Sequence, residues 1–281
     1  MAWSKARALL SESRMTALSI NVKSSALICW RRSLLWQAGL MPSTGTPKSK
    51  PATPRERARA QTLVDIVRIG REHLAVHGAA ALSLRAVARD LGVVSSAVYR
   101  YVQNRDELLT LLLIDGYNEL GDEVDAAVAA VPDGDFAGQF KALGRAVRHW
   151  ALREPASYAL LFGSPVPGYQ APGERTTVPG TRVIFRLVGI FDSAQRAGVL
   201  DARLGPAVVI PPALAADLEA IRSELKLSVS DPSLARGVLV WTSVFGAISF
   251  EVFGQYGQDT FKARDELFEH QLSVLQGVAG L

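Results

Sequence analysis

The stretch SLRAVARDLGVVSSAVYRYVQNRDELL, from Ser83 to Leu109, constrains the fold more than any other part of the chain. Leu84, Val87, Ala88 and Leu91 fall at i, i+3, i+4 and i+7, which makes one apolar stripe on a short helix. Ser83 occupies the cap position, where its hydroxyl can satisfy a free backbone N–H. Gly92 supplies the backbone freedom that a tight turn requires. Beyond it Val94, Val98 and Val102 recur every four residues, with Ala97 and Tyr101 beside them. At about 100° per residue these five share one arc, and Ser95, Ser96, Tyr99 and Arg100 share the opposite one. The spacing predicts a helix-turn-helix whose second helix hides a valine stripe. Its open face carries short polar groups and a cation, which suits insertion into a DNA major groove.

The flanking segments extend this unit. Leu63, Ile66, Val67, Gly70 and Leu74 form an apolar face on a helix that starts near Arg55 and closes at Gly78. Asn104 and Glu107 read as a capping box for a long helix from Arg105 to about Ala130, ending before Pro132-Asp-Gly. Further helices are expected at about Phe136–Arg153, Pro155–Phe162, Thr181–Ala197, Pro212–Leu227, Pro232–Phe253 and Thr260–Val278. The intervening GSPVPGYQAPGERTTVPG is rich in Gly and Pro and reads as a loop. With no βαβ alternation and no repeat, the chain reads as all-α. Its expected organisation is a basic, disordered extension over 1–54, a helix-turn-helix unit over 55–103, and a helical effector-binding and dimerisation domain over 104–281. The linking helix is 104–130.

Charge is unevenly spread. Residues 1–59 carry eleven Lys/Arg against two Asp/Glu, whereas the remaining 222 carry twenty against twenty-five. A cationic arm therefore precedes a mildly acidic body, suited to sequence-independent phosphate contact; a solvated tail is the competing reading. Met41 is a candidate start of the native chain, since the forty residues before it show no packing pattern. The single Cys29 excludes an intrachain disulfide and fits a reducing cytoplasm. No apolar run approaches the ~20 residues that span a bilayer, so no membrane is expected. His73 and His77 lie four apart, but no third ligand completes a metal site. No phosphate loop, nucleophile elbow or dinucleotide turn is present, so neither an enzyme nor a cofactor is expected.

The segment LSLRAVARDLGV, one residue, then SSAVYRYVQNRDELL resembles the DNA-binding unit of the tetracycline-repressor (TetR) family of bacterial regulators. The resemblance is strongest from about Ala60 to Leu113. Val94 departs from it, standing where the family usually caps the recognition helix with Ser or Thr, so Ser95 would cap one residue late. Ser95, Ser96 and Ala97 are short enough for the backbone to approach base edges, the hydroxyls reading several bases and the Ala methyl meeting a thymine methyl. The resemblance implies phosphate contacts for Tyr99, Tyr101 and Arg105. Ser83 and Arg85, at the start of the preceding helix, are candidates for a phosphate and for a base or phosphate. Core packing competes for Tyr101, and a solvated charge competes for Arg85 and Arg105.

In the C-terminal half, HWALREPASYALLFGSPVPGY and WTSVFG followed by Ser249-Phe-Glu resemble the subset of these regulators named for tryptophan, histidine and glycine. Phe245 stands where that subset often has His, which implies a less polar effector. Candidate effector contacts are His149, Trp150, Tyr158, Phe162, Phe185, Phe191, Trp241 and Phe245, with core packing as the competing reading. A short reading helix makes few base contacts, so a homodimer on double-stranded DNA with a palindromic operator is expected. Its seam would use Val238, Trp241, Phe245, Ile248 and Val252 with Phe268, Leu272, Leu275 and Ala279; internal core is the competing reading, of equal weight for Trp241 and Phe245. The expected function is a ligand-responsive repressor released by an apolar or aromatic small molecule. The alternatives are a helical enzyme fused to a DNA-binding unit and an effector-independent architectural protein.

Overall fold

The computed structural model describes residues 53–200 and 208–281. The basic segment before Thr53, with Cys29 and Met41, lies outside the described residues. Those residues form eleven α-helices and one 3-10 turn, with no strand among them.

α1 (Pro54–His77) begins at a complete capping box: Thr53 Oγ1 accepts the Glu56 N–H at 3.2 Å, and Glu56 accepts the Thr53 N–H at 2.7 Å. It ends at Gly78, whose φ of +72° suits glycine. After the 3-10 turn Ala79–Ala81 come α2 (Leu84–Asp90) and α3 (Ser95–Tyr99). α4 (Arg105–Ala129) starts at Asn104, which accepts the Glu107 N–H at 2.8 Å. Only this half of the expected capping box forms, because the Glu107 carboxylate is taken by Arg175 at 2.9 and 3.0 Å. The remaining helices are α5 (Phe136–Arg153), α6 (Pro155–Phe162), α7 (Gly173–Gly180), α8 (Arg182–Arg196), α9 (Pro212–Leu225), α10 (Asp231–Val252) and α11 (Arg264–Ala279).

α7 corrects the expectation of an uninterrupted loop after α6. Its sequence, GERTTVPG, has poor helix propensity and carries Pro179 in the last turn. Tertiary contacts override propensity here: α7 packs along α4, Thr176 is buried, and Arg175 grips Glu107.

Two apolar cores flank α4. Ile66, Leu74, Leu84, Val87, Val98 and Val102 close the head, and Phe140, Trp150, Tyr158, Leu187, Val240 and Ile248 lie in the body. α4 gives Leu108, Leu109 and Leu112 to the first core and Leu120, Val124 and Val128 to the second. One continuous hydrogen-bonded rod thus joins the two.

Two expectations about the C-terminal helices change. α10 is, by length and composition, long and apolar enough to cross a membrane, contrary to the reading of the sequence. It nevertheless buries Val240, Val244 and Ile248 in the body core, and Glu251 pairs with Arg148 at 2.7 Å. The expected dimer seam is also largely internal: Ile248, Phe268, Leu272 and Ala279 are core, and Trp241, Phe245, Val252 and Leu275 pack against it. Of the expected seam only Val238 is exposed, and Leu239, Phe250 and Val274 are exposed as well. A strip of large apolar residues at spacings of three and four marks a buried face without saying whether its partner is the same chain or another copy.

Candidate nucleic-acid interface

The turn between α2 and α3 follows from the backbone. Gly92 has a φ of +72° and donates its N–H to Arg89 O, while the Val93 N–H reaches Ala88 O, both at 3.0 Å. This paired closure satisfies the last carbonyls of α2 and needs a left-handed residue at Gly92. At the other end Ser83 Oγ accepts the Ala86 N–H at 3.5 Å, so its hydroxyl caps α2. Val94 takes the cap position of α3 in an extended conformation with no side-chain hydrogen bond. Ser95 is the first helical residue and does not cap.

Val98 and Val102 are fully buried, as the stripe requires, but Val94 is 71% exposed. Its ψ of 144° places it before the helix, where the 100° rule does not apply. Opposite the buried pair, Ser96, Tyr99 and Arg100 face outward, with Ser95 and Ala97 half-buried at the edge. Tyr99 is 44% exposed. Arg85 is exposed on α2; among the described residues neither Arg85 nor Arg100 has a carboxylate partner. The outward group therefore pairs two unneutralised cations with short hydroxyls.

Two of the other phosphate candidates are partly occupied. The Arg105 guanidinium donates to Ala79 O at 2.9 Å and Ala80 O at 3.3 Å, tying the 3-10 turn to the start of α4. That tie is structural and differs from the expected phosphate role. Tyr101 is half-buried, with the Arg59 guanidinium 5.2 Å from its ring centroid. Sequence reasoning passed over Arg59; the run Arg55, Arg57, Arg59 at the start of α1 was the available signal. Between α1 and α2, His73 Nε2 lies 2.5 Å from Asp90 Oδ2. The hydrogen bond from His73, with a second from Arg89, holds the Asp90 carboxyl below its ordinary range. No group of three or more His, Cys, Asp or Glu converges as a metal site among the described residues.

The head meets the body through Arg71 of α1. It reaches Asp115 at 3.2 Å and Glu119 at 2.6 Å on α4, and Glu154 at 2.8 Å at the α5–α6 corner. Burial pulls the Arg71 pKa down, but Glu154 and Glu119 outweigh it and the net shift is upward. Burial pushes the Asp115 carboxyl above its ordinary range, against the opposing pull of Arg71.

Of the effector candidates, four come together. Ring centroids run from Trp241 to Phe245 at 4.2 Å, to Phe162 at 4.8 Å and on to Tyr158 at 5.1 Å. The Tyr158 hydroxyl lies 2.8 Å from Ser249 Oγ and donates to Phe245 O at 3.3 Å. Trp150 is wholly buried, its indole N–H without a partner among the described residues, and Phe191 packs on Phe140 in the core. Phe185 lies apart, in a groove between α4 and α8. His149 corrects the expectation most clearly: its side chain is 73% exposed, beside Glu123 and Arg153 and away from the aromatic stack.

A family description, "Bacterial regulatory proteins, tetR family", matches residues 66–112, and "Tetracyclin repressor-like, C-terminal domain" matches 140–275. The HTH-type transcriptional regulators Mb1846 of Mycobacterium bovis and Rv1816 of Mycobacterium tuberculosis are each 48% identical over 226 residues, covering 80% of this chain and 94% of theirs. The crystal structure of a regulatory protein, SCO4313, superposes with a TM-score of 0.64 at 35% identity, covering 80% of this chain and all of that one. A tetR-family protein of Rhodococcus, at a TM-score of 0.52 and 14% identity, shares the fold. The outward polar face over buried valines, the two matched segments and the relatives agree: the chain is a DNA-binding transcriptional regulator, not an enzyme, and belongs to the TetR family.

Proposed function

We propose that this regulator is a repressor that binds a palindromic operator as a homodimer and is released when a small molecule occupies its C-terminal domain. The observation that carries the reading is the outward group of Ser96, Tyr99 and Arg100, with unneutralised Arg85 exposed on α2, over fully buried Val98 and Val102. Ser95 and Ala97 at the edge of that face can approach base edges, and Ser83, Tyr101 and Arg105 hold the frame behind it. A five-residue reading helix supplies few base contacts. Each is worth ~1–3 kcal/mol, too little to select one site in a genome, so two heads on one duplex are required. The C-terminal domain fits the tryptophan-histidine-glycine subset, with Phe245 favouring an apolar or aromatic effector.

The test is selection of bound sequences from random duplex DNA with the full chain, followed by footprinting. The expected result is an inverted repeat protected on one face of the duplex, with half-sites about one helical turn apart or a multiple of it. Binding that leaves no enriched sequence at low salt removes the reading.

A further inference from the structure

Between α4, α6 and α7 lies a cavity of about 520 Å³, within the size range of small-molecule sites. Leu113 and Tyr117 wall it from α4, Leu161 from α6, Val166 and Tyr169 from the connecting segment, and Thr177 from α7. No Asp, Glu, Lys, Arg or His contributes to its lining. A charged ligand placed there would lose its hydration without gaining a counter-ion. Some hydroxyls are already engaged: Tyr169 with Thr110 at 2.9 Å, and Thr176 with Pro172 O at 3.0 Å. The Tyr117 and Thr177 hydroxyls have no protein partner among the described residues.

Position distinguishes this cavity from the larger groove of about 870 Å³ between α4 and α8. There Arg182 and Arg186 are already matched by Asp122 and Asp125 at 2.7 to 2.9 Å. The groove's walls come from α4, the α4–α5 connection, the start of α5 and α8, and none of its lining residues packs against the core of the reading head. In the smaller cavity, Leu160, Val166 and Tyr169 line the space and also pack against the core of the DNA-reading head. A ligand shifts an equilibrium only through contacts that differ between the two states, and this wall is one that a moving head must disturb.

We infer that the α4–α6–α7 cavity is the effector site, and that its ligand is an uncharged, largely apolar molecule accepting one or two hydrogen bonds from Tyr117 and Thr177. This rests on the effector-controlled reading above and moves the site from the Trp241–Phe245–Phe162–Tyr158 stack to the space beyond Leu161.

The test uses the full chain and two dyes sharing one ring system, uncharged N-phenyl-1-naphthylamine and its anionic sulfonate analogue 8-anilinonaphthalene-1-sulfonate. Thr177→Trp and Ala171→Trp fill the cavity from a half-buried position and from its exposed rim, and Gly189→Trp fills the other groove. Melting curves confirm that each variant folds. The expected result is one uncharged dye per chain, weakened by at least about tenfold in both cavity variants and unchanged in Gly189→Trp, with the sulfonate weaker by at least about tenfold. Dye binding untouched by both cavity variants overturns the site, and equal binding of the sulfonate overturns the ligand class. Operator affinity is read in parallel. If the dye is displaced by both variants while neither dye nor variant moves operator affinity, the effector-controlled reading falls and the ligand class stands.

Discussion

Arg85 and Arg100 are exposed on the helix-turn-helix and have no carboxylate partner among the described residues. Arg89 pairs with Asp90, Arg59 lies on Tyr101, and one nitrogen of Arg105 donates to two carbonyls. Arg85→Ala is therefore expected to weaken operator binding evenly across sequences and to lower the salt slope by about 1, as loss of one phosphate contact does. Fluorescence anisotropy from low to high salt checks this; a slope equal to that of the unaltered protein would remove Arg85 from the phosphate set. Arg105→Met is expected to behave in the opposite way. It leaves Ala79 O and Ala80 O to water, at a cost of about 0.5–1.5 kcal/mol in stability, with the salt slope unchanged. Chemical denaturation separates the two outcomes. The sequence made the chemistry of both arginines visible but not their partners. An arginine in the first turn of a helix looks the same whether it faces a phosphate or a carbonyl of the same chain. Val94 and His149 show the same limit, since exposure depends on where a helix begins and what packs beside it.

Elements with a clear start, a periodic apolar face and a clear stop were legible. Pro at the first turn, Asp135 before α5 and Gly78 after α1 mark ends that the chain alone supplies. α7 was not legible, because its stability comes from residues more than sixty positions away. Arg175 on α7 and Glu107 on α4 carry that information, and the same contact explains why the Asn104 capping box closes only halfway. The pair is partly exposed, at 38% and 29%, so its coupling energy is modest. A double-mutant cycle with Arg175→Met and Glu107→Gln is expected to give ~0.2–1 kcal/mol, read by thermal unfolding. Hydrogen exchange in 173–180 is expected to accelerate in Arg175→Met, while α5 and α8 keep their protection. Unchanged exchange there would mean that packing along α4 alone holds the helix.

At the scale of the whole molecule, the head is set on the body by α4 and by Arg71, which is surrounded by three carboxylates. Asp115 is the ill-placed member, its folded-state pKa raised by burial. A raised acid pKa makes the native state bind the proton more tightly, so this group destabilises above its folded value. The penalty disappears as pH falls towards the ordinary carboxylate range. Asp115→Asn is therefore expected to match or exceed the unaltered protein in melting temperature at neutral pH, with the difference closing on acidification. The second whole-molecule property is the proposed pairing. Phe250 and Val274, 48% and 51% exposed, flank a shallow apolar groove between α10 and α11. Both project from helices whose other faces are anchored in the core by Val244, Ile248, Phe268 and Leu272. Aspartate at these two positions therefore leaves the core residues in place, at the loss of the Phe250–Tyr256 ring contact at 5.6 Å, but desolvates badly against a second copy. The double variant Phe250→Asp with Val274→Asp is expected to sediment as a folded monomer. Its operator affinity should fall by about 10²-fold or more, because two joined heads gain avidity that two free ones lack. A variant that still sediments as a dimer would place the interface on another face of the body; a monomer with full operator affinity would mean that one reading head suffices.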